Sequence, residues 1–381
     1  MKKTKFYIIT AIAGLLISII FFNSCQKEEI LKTQEQKTVS PQNNIRVVKG
    51  MLIFKNQQVF QQTLTNPKFN NRIFREEWGK NIGFTSQASI YDKINDEEIK
   101  LENKLFGKYD ENLSLKELSD LGVKIGHTEI YNKYLKKGLI KENKETDGSQ
   151  SFDLTLKENE NFVNEDGLLM IDSVIYLYQK NEIKILTDGN LGKIDLLKKT
   201  QTTNKKLNIY VLKTINSLNK SGNTNYNEWV NKKDWKHDGS KKRYCMVVYG
   251  SSYLYMDGMY MKSTFYLECK AQKKSWGRWK YKNNYMPLCQ VDGNWTYWYT
   301  VENENCCSDW HYATALSDND SKSPLHYYFG HSNYTKFYLK PNGVWHYGSP
   351  WRFMNSIHVN QFYFNSTFWG GSHGRHIIVS K

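Results

Sequence analysis

Trp276-Gly277-Arg278-Trp279-Lys280-Tyr281-Lys282 sets cations and aromatic rings in alternation. On a strand that spacing puts Arg278, Lys280 and Lys282 on one face and Trp279 and Tyr281 on the other. Further on, Trp295-Thr296-Tyr297-Trp298-Tyr299 places three aromatic rings on one face and Trp298 alone on the opposite one. Exposed rings stack on sugars and bases and rarely cluster on inert surfaces. Trp298, Trp276, Trp310, Arg278 and Lys280 are therefore the candidate ligand contacts, with glycan the favoured ligand. The competing reading of the same pattern is an ordinary sheet whose aromatics face the core and whose lysines face water.

Other residue types point less sharply to chemistry. Eight of the nine histidines lie beyond Lys236, and none forms an H-E-x-x-H pair. Asp318-Asn319-Asp320-Ser321 has alternating oxygen ligands but lacks the glycine and glutamate that a calcium loop needs six and twelve positions in. No G-x-S-x-G, G-x-x-x-x-G-K-[ST] or G-x-G-x-x-G occurs. No catalytic residue, metal or cofactor is assigned. A surface hydrolase of glycan or protein is the alternative function, drawing on carboxylates such as Glu268, Asp292, Glu302, Glu304 and Asp309. A structural partner of an outer-membrane complex is a third.

The N-terminus supplies an address. Lys2, Lys3 and Lys5 precede an apolar run from Phe6 to Phe22, and Asn23-Ser24-Cys25 follows. Charge, a short apolar segment and a small residue form a secretory signal. The run is shorter than the roughly 20 residues that span a bilayer. A cysteine at the cleavage point implies acylation of Cys25, which anchors the exported protein to a membrane through lipid. The chain is expected at the outer membrane or cell surface, with glycan or an envelope protein as partner. Net charge is +15, and 19 Lys and Arg against 10 Asp and Glu fall between Asn231 and Lys381. Such a surface suits anionic partners, yet export argues against nucleic acid. An oxidising compartment also favours disulfides. Cys245, Cys269, Cys289, Cys306 and Cys307 all lie in the last 140 residues. Cys245–Cys269 is the expected cross-strand bridge, and Cys289 is expected with Cys306 or Cys307.

The elements that position these residues divide the chain. Residues 1–24 read as signal and 25–50 as polar tether. Residues 51–199 read as an α+β domain. It has a strand at Met51-Leu52-Ile53-Phe54 and a helix that Ser89 can cap, with Ile90, Ile94, Leu101 and Leu105 inward and Glu97, Glu98 and Lys100 outward. Leu115, Leu118 and Leu121 before Gly122 suggest a short helix. A three-stranded meander follows at residues 168–171, 174–178 and 183–186, punctuated by Asp172-Ser173 and Lys180-Asn181. Residues 200–242 read as an irregular linker with one strand near Ile209. Residues 243–381 hold 32 of the 55 aromatic residues and many short apolar runs between turns, which predicts an all-β domain, sandwich or barrel-like.

Met51-Leu52-Ile53-Phe54, Trp78 with Gly83-Phe84-Thr85-Ser86, Asp96-Glu97-Glu98, and Asp166-Gly167 ahead of Ile171 and Tyr176 carry a resemblance. Over residues 51–197 the chain resembles an uncharacterised, DUF4848-like family of Bacteroidetes lipoproteins. The resemblance implies lineage and compartment, and it brings no activity or site residue.

Overall fold

The computed structural model describes residues 44–380, apart from 157, 181, 214–225, 240, 256–259, 282–287, 303–309, 313–324, 331–333, 339–342, 347–353 and 370–373. The expected signal and Cys25 lie outside the described residues. Helices and strands both occur, and the helices fall between residues 57 and 207.

A six-stranded sheet forms first. Its strands are β1 (Ile45–Val48), β2 (Met51–Phe54), β5 (Leu168–Ile171), β6 (Val174–Tyr178), β7 (Glu182–Leu186) and β8 (Ile209–Lys213), hydrogen-bonded in that order. Only the β2–β5 pairing is parallel. The expected meander is β5–β6–β7. Asp172 and Ser173 join its first two strands with φ of 47° and 63°, the left-handed pair that a two-residue hairpin turn requires. Within the stretch expected as tether, Ile45–Val48 is instead a strand that pairs with Met51–Phe54 across Lys49-Gly50.

Side-chain alternation explains why these strands are apolar throughout. Leu52, Phe54, Leu169, Ile171, Ile183 and Ile185 face one core, shared with α1 (Gln57–Leu64) and α2 (Arg72–Ile82). Met51, Ile53, Leu168, Met170 and Leu186 face a second core, closed by Leu197 of α6 (Ile194–Lys199). With both faces covered, continuous apolar runs replace an alternating pattern. Lys184 is the exception. It is fully buried, and its Nζ donates to the Lys198 carbonyl at the end of α6 (2.9 Å), where the helix presents unpaired carbonyls.

The second sheet draws on distant segments. Its order is β3 (Ile140–Lys144), β4 (Gln150–Leu154), β12 (Arg278–Lys280), β11 (Tyr260–Ser275), β10 (Lys242–Tyr255) and β9 (Tyr226–Asp238). Tyr226–Asp238 was expected as irregular linker and is instead a strand along β10. The β3–β4 hairpin, from before the expected linker, joins strands from after it through Gln150 beside Arg278. β13 (Leu288–Glu302), β14 (Trp310–Tyr312), β15 (Leu325–Gly330), β18 (Met354–Trp369) and β19 (Gly374–Ser380) form a third sheet, while β16 (Tyr334–Tyr338) and β17 (Gly343–His346) pair with β11.

The helix α3 (Gln87–Phe106) bears on the second sheet. Ser86, not Ser89, is its cap: the Ser86 hydroxyl accepts from the Ser89 N–H at 3.0 Å. Two further first-turn donors, Gln87 and Ala88, bond to the Val163 and Glu160 carbonyls. The remaining helices are α4 (Leu115–Asp120), with a Ser114/Glu117 capping box, and α5 (Glu129–Lys136), capped by Thr128.

Candidate functional site

Along α3 the positions 90, 94, 98, 102 and 106 recur at four-residue spacing and share one face. Their occupants are Ile90, Ile94, Glu98, Glu102 and Phe106, and all five are buried. Glu98 was expected outward, yet it is 1% exposed, and Glu102 is 2% exposed. Two carboxylates out of water cost several kcal/mol each unless they are paired and hydrogen-bonded. The structure supplies the partners from 176 residues further along the chain.

They arrive on β12. Trp276 and Gly277 form the two-residue turn from β11, with φ of 48° and 72°. A tryptophan in left-handed backbone is strained. The turn is held by the Trp276 N–H, which donates to the Glu111 carbonyl (3.0 Å), and by packing of the ring against Phe106 and Leu118. After this turn Arg278 and Lys280 both point at α3. The Arg278 guanidinium lies 3.1 Å from Glu102 and 3.7 Å from Glu98, and it also donates to the Gly126 carbonyl at 3.2 Å. Lys280 Nζ meets the Glu102 carboxylate. Burial pulls the Lys280 ammonium below its ordinary range, against which Glu102 holds the proton.

Glu98 is satisfied from its other side. The Thr128 N–H and hydroxyl donate to its Oε1 at 2.7 and 2.8 Å, and His127 Nδ1 lies 2.7 Å from its Oε2. Burial pushes this carboxyl up, but the donors from His127 and Thr128 outweigh it and leave Glu98 below the usual glutamate value. The His127 ring stacks on Tyr131 at 3.9 Å and 8°. Its Nε2 faces Arg278 Nη2 at 3.4 Å. Both ring nitrogens thus face charged side chains of the protein. Glu142 of β3 completes the edge. It accepts from the Tyr131 hydroxyl at 2.8 Å and lies 3.8 Å from His127 Nε2. Burial and that hydrogen bond to Glu142 hold the Tyr131 phenol well above its ordinary range.

These groups border a small cleft that opens to solvent. Tyr131, Phe152 and Trp279 line it with rings, and His127, Glu142 and Gln150 line it with planar polar groups. Among the described residues no group of three metal-binding side chains comes together.

A second buried ionic group lies across the same sheet. Lys270 Nζ is 2.6 Å from Glu268 and 3.7 Å from Asp153, and the Tyr281 hydroxyl donates to Asp153 at 3.3 Å. Glu268, a carboxylate expected for a hydrolase, is thus buried against a lysine. Burial pushes Asp153 up, but Lys270 and its neighbouring cations outweigh that and hold the carboxyl low. Beside them, burial raises the Cys245 thiol well above its ordinary range.

Several sequence expectations are corrected here. Trp276 is 7% exposed and plugs the end of α3, so it offers no stacking platform. Alternation does separate Arg278 and Lys280 from Trp279, whose ring lies under the Arg243 guanidinium at 4.4 Å. Neither face meets water, however, because α3 covers one side. Arg278 and Lys280 are core residues. The Cys245–Cys269 bridge does not form. The register pairs Cys245 with Lys270 and Met246 with Cys269. A one-residue offset sends the two thiols to opposite faces of the sheet, and both are buried and unbridged to each other. Cys289, Trp298 and Trp310 fall in β13 and β14 with side chains outside the described residues, as Cys25, Cys306 and Cys307 are entirely.

Glu98, Glu102, His127, Tyr131 and Glu142 escaped the sequence reading. The four-residue spacing from Ile90 to Phe106 was the available signal for the two α3 glutamates. His127 carried none, as the single histidine of its half.

No family model matches the chain, and no curated protein matches it. A crystal structure of a DUF4848 family protein from Bacteroides thetaiotaomicron VPI-5482 is similar over 88% of this chain and 98% of that one, at 13% identity and a TM-score of 0.26.

Proposed function

We propose that this is a lipid-anchored protein of the cell envelope that recognises glycan without transforming it. In this reading an α+β part is followed by a β part that begins near Arg243, and the two meet at the cleft beside α3. The observation that carries the proposal is the polar rim of the cleft, where an imidazole (His127), a carboxylate (Glu142) and an amide (Gln150) come together above buried rings. Sugars present hydroxyls to planar polar groups, and such a rim fits them. A binding rather than catalytic role is supported by His127. Its Nδ1 lies 2.7 Å from Glu98 and its Nε2 3.4 Å from Arg278, so both ring nitrogens face groups of the protein rather than an open position for a substrate.

The mature chain, with Cys25→Ser to remove the lipid, is to be screened on a glycan array and its hits titrated by calorimetry. Glu142→Gln is expected to weaken binding about tenfold, the worth of one hydrogen bond to a charged group, with unchanged melting. An array with no hits, or a hit that the protein cleaves, overturns the proposal. The anchor is tested separately: Cys25→Ser is expected to abolish acyl mass and membrane association in the native host.

A further inference from the structure

Resting on the glycan reading above, we infer that the cleft takes a saccharide bearing an oxyanion, a carboxylate or a sulfate. A row of three donors, Lys144, Gln150 and Arg278, seats that group.

The row is set by strand register. β3 and β4 pair with Glu142 opposite Phe152 and Lys144 opposite Gln150, and Gln150 in turn pairs with Arg278 of β12. Paired residues share a face of the sheet, as do residues two apart on one strand. Two rows therefore cross three neighbouring strands on the face toward α3. One is Lys144–Gln150–Arg278 and the other is Glu142–Phe152–Lys280, and all six residues line the cleft. Neighbouring strands lie about 4.8 Å apart, so the first row offers its donors over about 10 Å.

Each member of that row keeps a donor unspent. Lys144 is exposed, and among the described residues its ammonium meets no carboxylate. The half-buried Gln150 amide has no hydrogen-bond partner among them either. Arg278 is 3% exposed, and its Nη groups go to Glu102 and Gly126, while its buried Nε donates to nothing. A buried donor left unmade is costly, and an oxyanion supplies several acceptor lone pairs that favour charged donors. The nearby acids are engaged elsewhere: Glu98 accepts from Thr128, and Glu102 meets Arg278 and Lys280. Glu142 stands in the other row, about 7 Å along the strand from Lys144. It accepts from the Tyr131 hydroxyl, and its remaining acceptor capacity suits a sugar hydroxyl, which an acidic peptide of glutamates does not bring. The two rows thus orient the ligand, with its oxyanion beside Lys144 and its hydroxyls beside Glu142. The chain's net charge of +15 draws such a ligand in at long range.

The test titrates the mature Cys25→Ser chain with hexasaccharides of hyaluronan (carboxylate) and keratan sulfate (sulfate), with neutral cellohexaose, and with hexaglutamate. Each is run at about 50 and about 300 mM NaCl, a range over which exposed charge attraction is strongly screened. One of the two anionic hexasaccharides is expected to bind at least about tenfold more tightly than cellohexaose and to weaken with salt. Lys144→Gln is expected to weaken that ligand about tenfold and to flatten its salt dependence, at unchanged melting temperature. Lys141→Gln is the control, because it removes the same charge from the opposite face of the same strand. It is expected to change affinity less than about twofold. Equal losses in the two variants would assign the effect to net charge and overturn the row. Cellohexaose binding as tightly as the anionic sugars overturns the inference and leaves glycan recognition standing. If no saccharide binds, the glycan reading fails and takes the inference with it. Hexaglutamate binding more tightly than every saccharide overturns both.

Discussion

In the six-stranded sheet, neighbours in space are mostly neighbours in sequence, and apart from Lys184 the interior is apolar on both faces. In the eight-stranded sheet, β4 meets β12 across more than a hundred residues, and the contact with α3 runs through Glu98, Glu102, Arg278 and Lys280. Apolar packing is non-directional, so many registers of one greasy strand on another are nearly equivalent until volume and turns choose. Buried ion pairs are intolerant of misplacement, because a slip of one residue leaves a carboxylate without a cation in a dry site. The molecule uses the forgiving chemistry where short turns already fix the register. It uses the unforgiving chemistry where a long stretch of chain must find one position.

Breaking the ionic side of this comparison should have the largest effect. Glu102→Leu leaves Lys280 and Arg278 short of a counter-charge and is expected to cost about 3–5 kcal/mol in urea unfolding. Adding Lys280→Met should recover at least half of that loss, because removing both partners avoids the stranded charge. If the double variant is as unstable as the single one, the pair acts through volume rather than charge.

A second experiment separates the two sheets by pH. Glu98 has a folded-state value below the ordinary 4.5. A depressed carboxyl stabilises fully above its unfolded value and loses that contribution as pH falls through the folded one. Unfolding free energy should therefore decline below about pH 4.5, and Glu98→Gln should flatten that acid limb. Equal acid slopes for the two proteins would show that Glu98 has no part in it.

On the apolar side, Ile185→Val trims one methylene from a fully buried position in the six-stranded sheet. A loss of about 0.5–1.5 kcal/mol is expected, with no change across pH 3–7. A pH-dependent loss would mean that the two regions are energetically coupled.

The same contrast decides what was legible. The meander could be read because β5, β6 and β7 are contiguous runs and Asp172-Ser173 is suited to left-handed backbone. The strand alternation of Arg278, Trp279 and Lys280 was also legible. That both faces are covered was not, since α3 lies 176 residues away and no local pattern announces it. Glu98 was assigned to solvent on residue type and Glu102 was left unassigned, although their spacing with Ile94 and Phe106 pointed inward. Periodicity was the stronger signal. The Cys245–Cys269 expectation failed for a different reason: adjacency of two strands says nothing of register, and one residue of offset puts two thiols on opposite faces. Trp276 looked like a ligand contact because it opens a run that alternates rings and cations, whereas here it sits in a turn packed against Phe106 and Leu118.

The smallest expected effect tests whether burial, rather than ion pairing as such, gives the α3–β12 contact its weight. Glu111 bridges two lysines of the β10–β11 end, Lys241 at 2.7 Å and Lys273 at 3.5 Å, and the nearer lysine in particular holds its carboxyl below the usual range. The geometry is as good as that around Glu102, and the charge complement is the same, one acid to two cations. The difference is water: the Glu111 side chain is 39% exposed and that of Glu102 is 2% exposed. Exposed pairs gain little over hydration, and holding long side chains in place costs entropy. Glu111→Gln is therefore expected to cost less than about 1 kcal/mol, and about 0.5 M salt should remove most of even that. Salt should leave the Glu102→Leu loss nearly unchanged, because ions do not enter a dry contact. A Glu111→Gln penalty that rivals Glu102→Leu and survives salt would show that any ion bridge between the two halves of the chain is worth as much as the buried one.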